Sequence, residues 1–94
     1  MKKTSRLDLG DELIIDKIRS LKLKFDTAFS ETEKLTIHSK HIAAIDLTGI
    51  QLLHYIHHLA IKEGKEIQFK LQIEGDQQLM LKQCGLYHVI QNQH

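Results

Sequence analysis

Thr48 and Asp46 are the two side chains in this 94-residue chain whose types and spacing most suggest chemistry. They stand in Ile45-Asp46-Leu47-Thr48-Gly49-Ile50-Gln51-Leu52-Leu53, where short β-rich runs give way to the longest helical pattern. Thr48 reads as the N-cap of that helix, because its hydroxyl can accept a hydrogen bond from an orphan N–H of the first turn. Gln51, three residues on, completes a capping-box pattern. Gly49 permits another surface to come close to the backbone at the helix entrance. A hydroxyl at the positive end of a helix, beside a carboxylate and the rim residues Leu47 and Gly49, is also a candidate phosphoacceptor, since that position tolerates an added phosphate well.

The second group of interest lies along the same helix. At about 100° per residue, Leu52, Leu53, Ile56, Leu59 and Ala60 form an inward stripe. Ile50, His54, His58 and Ile61 then form a row on the opposite side, with Gln51 and His57 beside it. Isoleucines on the outer row of a small domain predict a surface that docks a protein partner, continuous with Thr48. His54 and His58 have the spacing that lets one helix face hold a metal, but no third ligand joins them and metal sites usually need three or four. The row is therefore read as partner-binding, with no metal. There is no nucleophile–base pair at a recognisable spacing and no phosphate-cradling glycine loop. The chain is also short for enclosing a large substrate pocket. These features predict a binding module and not an enzyme, with no cofactor.

Such a site needs a scaffold of alternating elements. Thr4 to Leu9 reads as a short edge strand, and Gly10-Asp11 as a turn. Asp16 is expected to cap a helix from Lys17 to Ser30. Its apolar stripe is Ile14, Ile18, Leu21, Phe25, Ala28 and Phe29, with Leu23 off it and exposed. Leu35 to His38 has the composition of a central strand, and His41 to Ile45 delivers the chain to Asp46. The helix from about Gly49 to Lys62 should stop at Gly64. Lys65 to Gln72 alternates cleanly, as a half-buried strand does. Gly75 to Gln83 is a last helix with Leu79, Met80 and Leu81 available to its buried side, and Leu86 to Ile90 a final edge strand. The pattern predicts an α/β fold, a small mixed β-sheet with helices packed on one face, in a single domain over 1–94 with its core at about 7–90.

Composition narrows the partners. A formal net charge of +1 and no Lys/Arg run longer than Lys2-Lys3 give no electrostatic case for nucleic acid or an anionic membrane. Aromatics make up 5%, too few for a base-stacking platform. No apolar run is long enough for direct membrane insertion. Cys84 is the one cysteine, which rules out an internal disulfide and fits a reducing, cytoplasmic location.

The ordered set of motifs resembles the STAS domain, the family of anti-sigma factor antagonists, sulfate transporter tails and a lipid-transport regulator. It is carried by Leu-Gly-Asp-Glu-Leu at 9–13, Ile45-Asp46-x-Thr48-Gly49, Gln51-Leu52-Leu53, Glu63-Gly64-Lys65 and Gln83-Cys84-Gly85-Leu86. The family's phosphoacceptor falls just before the glycine of this turn, which maps onto Thr48 with Asp46 as its acidic neighbour. Leu47 stands where switch proteins commonly carry Ser, and His38-Ser39 where an acidic residue is usual. The resemblance implies a partner-switching regulator that binds an anti-sigma factor acting as a serine/threonine kinase. The alternative it implies is an unphosphorylated adaptor of an ABC-type lipid transporter ATPase or a chemosensory complex.

Overall fold

The structure is a computed structural model that describes residues 3–86. Its elements are β1 (Thr4–Asp8), β2 (Glu12–Leu13), α1 (Ile15–Ser30), β3 (Lys34–Ile42), β4 (Ala44–Ile45), α2 (Leu47–Glu63), β5 (Glu66–Ile73) and α3 (Gly75–Gln83). β1, β3 and β5 form one sheet in that order, with β3 central, and β2 pairs with β4 in a second, two-stranded ladder. Every pairing is parallel. The antiparallel partner that a mixed sheet requires is not among the described residues. The expected strand at Leu86 to Ile90 falls, beyond Leu86, outside them.

The order β1-β3-β5 means that two successive crossovers advance the sheet in one direction. Right-handed crossovers then place α1 and α2 on the same face. Burial agrees: Leu7, Leu35, Ile37, Ser39 and Phe69 point to the helices and are buried, while Arg6, Asp8 and Lys70 on the other face are exposed. The buried core joins these residues to Leu21, Phe25 and Phe29 of α1 and to Leu52, Leu53, Ile56 and Ala60 of α2. Burying a side chain of this size stabilises the fold by about 1.5–3 kcal/mol. The predicted stripes of both helices are thus observed, and Leu23 is exposed as expected. A polar brace closes the gap between α1 and α2. The Tyr55 hydroxyl donates to Asp26 Oδ1 at 2.8 Å, and Lys22 Nζ lies 3.2 Å from Asp26 Oδ2. The Tyr55 ring packs edge-on against Phe25, centroids 5.8 Å apart.

Gly64 ends α2 at φ 67°, a left-handed conformation that glycine adopts without strain. α3 has the predicted bounds, but Leu79 is 58% exposed and only Gln77 and Leu81 of this helix are buried. Three consecutive helical residues span about 200° and cannot share one side. The buried pair instead follows the i, i+4 spacing.

Candidate functional site

The site is made where two parallel strands end together. Leu13 pairs with Ile45 in the short β2–β4 ladder, and Asp46 N–H donates to Leu13 O at 3.1 Å. Each strand then feeds directly into a helix, so the N-termini of α1 and α2 lie side by side. Their unsatisfied N–H groups converge on one corner.

Asp46 serves both. It is the N-cap of α2, in extended conformation, and its Oδ1 accepts Gly49 N–H at 3.1 Å. Its Oδ2 accepts the N–H of Ile15, the first residue of α1, at 3.0 Å. Two sequence expectations are corrected here. Thr48 is not the cap but lies inside the first turn of α2, and its hydroxyl donates to Asp46 Oδ1. The reason is charge: a carboxylate is the stronger acceptor for helix N–H groups, and Asp46 stands three residues before Gly49, the offset an N-cap needs. Asp16 does not cap α1 either. That helix starts at Ile15 after Ile14, with no side-chain cap of its own, because the carboxylate comes from Asp46, 31 residues away.

These contacts hold the Asp46 carboxyl below the ordinary carboxylate range. The Thr48 hydroxyl is the largest cause, partial burial opposes it, and the N–H groups of Ile15, Gly49 and Thr48 add to it. Thr48 is half-buried.

Gly49 is fully enclosed. A Cβ there would meet the Leu13 carbonyl oxygen, Leu13 Cβ at 2.8 Å and Ile45 Cγ1 at 2.9 Å. The close approach expected at Gly49 therefore exists, and the approaching surface is the chain's own ladder. Ile50, expected on the outer row, is instead part of the buried core and only 4% exposed. The helix is packed on more than one side at its start, so a residue on the flank of its inward stripe is covered. Ile50 leaves the docking row.

The remaining positions of that row are open. Gln51, His54 and His58 are exposed, Ile61 is 67% exposed, and His57 is half-buried. Among the described residues no three His, Cys, Asp or Glu side chains converge as metal ligands do. Sequence reasoning missed one element of the rim. Ile15, 68% exposed, donates its N–H to Asp46, and Leu47, 66% exposed, follows Asp46 in the chain. Two exposed apolar residues thus adjoin Asp46, one through its backbone N–H and one in sequence. The signal was the doublet Ile14-Ile15, of which a helical stripe can use only one member.

Compared with protein-family models, with curated proteins and with solved structures, the chain matches none. The small α/β fold is therefore established by the coordinates alone. Among the described residues no helix is long and apolar enough to cross a membrane.

Proposed function

We propose that this domain works by binding a protein partner at the corner where α1 and α2 begin, as a STAS-like regulatory module controlled at Thr48. One observation carries the reading: a half-buried threonine hydroxyl is bonded to the single carboxylate that caps two helices, inside a rim of exposed Ile15 and Leu47. Such a hydroxyl is a sensitive control point. Phosphorylation would remove its hydrogen to Asp46 and add a charge of about −1.5 to −2 beside a carboxylate. The helix N-termini would favour the new charge while Asp46 repelled it. The rim presented to a partner would change in charge and shape at once. No catalysis is assigned, and the anti-sigma type of kinase is the partner class this reading fits.

The alternative is an unphosphorylated adaptor, for example on a transporter ATPase. It is favoured by the same hydrogen bond seen differently: the Thr48 hydroxyl is committed to Asp46. Phosphosite mass spectrometry of the protein from its own cells separates the two readings. Modified Thr48 is expected for the switch, together with loss of the captured partner in Thr48→Glu at unchanged fold. An unmodified Thr48 and a partner indifferent to Thr48→Glu would overturn the switch.

A further inference from the structure

Among the described residues, β1 is an outer strand of its sheet with only one side paired. Its odd residues turn their backbone to β3: Lys3 O accepts Lys34 N–H, and Leu9 N–H donates to His38 O. Successive residues of a strand alternate, so the N–H and C=O groups of Thr4, Arg6 and Asp8 point to the open edge. Edges are usually blunted by charges or by cover. Here the charged side chains of β1 stand on the polar face of the sheet, and among the described residues no strand pairs with this edge. Asp8 Oδ1 accepts Gly10 N–H at 2.8 Å, while Oδ2 is 3.8 Å from His38 Nδ1, too far for a hydrogen bond.

We propose that this edge pairs antiparallel with β1 of a second copy of the chain, about a two-fold axis at Leu7. The charge order selects both occupant and register. Two identical strands close on each other only when antiparallel, and the outward groups require even-numbered residues to face even-numbered ones. An axis at Arg6 sets two guanidinium groups directly opposite, which is unfavourable. An axis at Ser5 sets Arg6 against Thr4, and the one opposite charge it offers, Lys2 for Asp8, lies outside the described residues. An axis at Leu7 places Arg6 of each copy against Asp8 of the other, two complementary pairs on the polar face, with Leu7 against Leu7 on the helix face. A second observation supports this arrangement. A groove of about 420 Å³ runs between this edge and α1, lined by Ser5, Leu23, Thr27 and Ala28 together with the charged Lys24 and Glu31. Leu23 there is 63% exposed. The two-fold axis sets α1 of the second copy on the same face, alongside this groove, where it covers Leu23.

The test is sedimentation of the whole chain up to about 1 mM, the range a weak contact requires. The wild type should show a monomer–dimer equilibrium, and Arg6→Glu and Asp8→Arg should each weaken it about tenfold or more. An equimolar mixture of the two variants should recover it. In the mixed dimer the introduced carboxylate of one chain faces the introduced guanidinium of the other, and the unchanged Asp8 faces the unchanged Arg6. A wild type that stays monomeric overturns the proposal, as does a dimer indifferent to both variants or a mixture that fails to associate. Should a charge variant lose its circular dichroism spectrum, Arg6→Pro replaces it. That change removes an N–H aimed only at the open edge, so a dimer persisting in it also overturns the pairing. A monomer that instead takes up an unrelated extended peptide at this edge overturns the choice of occupant.

Discussion

The first turn of α2 and the outer row of the same helix are built on opposite terms. At the first turn the glycine and the polar groups are committed: Gly49 is wedged against Leu13 and Ile45, and Asp46 bonds two helices and the Thr48 hydroxyl. Three turns further on, His58 and Ile61 stand in solvent. The contrast teaches that one helix carries a fold determinant and a free surface a few residues apart. Substitutions at the two places should differ in kind, costing stability at the first, alongside any effect on binding there, and leaving stability unchanged at the second.

Gly49→Ala is the harshest test of that division. The new methyl has no room against the Leu13 carbonyl, so the helix start must shift, with an expected loss of about 3 kcal/mol in chemical denaturation. A near-neutral result would mean that the first turn is not locked. Tyr55→Phe should cost about 1 kcal/mol, the net value of a hydrogen bond lost to Asp26 with packing preserved. It probes the middle of α2, between the two regions. The double change His54→Ala and His58→Ala should alter stability by less than about 0.5 kcal/mol, the usual range for exposed positions. A larger loss would place the row within the fold.

How far the sequence revealed this layout follows from which forces are local. The inward stripes of α1 and α2, the stop at Gly64 and the alternation over β5 depend on residues near one another, and each is observed. Asp46 as a double cap was hidden because half its role lies with Ile15, distant in sequence and adjacent only after β2 and β4 pair. Ile50 misled for the same reason. A helical wheel places Ile50 only about 60° from Leu53, and whether such a flank is covered is decided by tertiary packing, which here buries it. Leu79 was a failure of a different sort, since periodicity alone already forbids three consecutive inward residues.

The corner depends on the Asp46 carboxylate being charged and held by Thr48 and both helix starts. Its folded-state acidity is strengthened relative to the ordinary value of 3.8. Its contribution to stability is therefore complete above that value and lost as pH falls through the lower folded-state one. Carboxyl-carbon NMR titration of the wild type and Thr48→Val measures this directly. Asp46 should titrate below the ordinary range in the wild type and move upward in Thr48→Val, whose acid unfolding should begin at higher pH. Ordinary titration in the wild type, unmoved by the substitution, would contradict it.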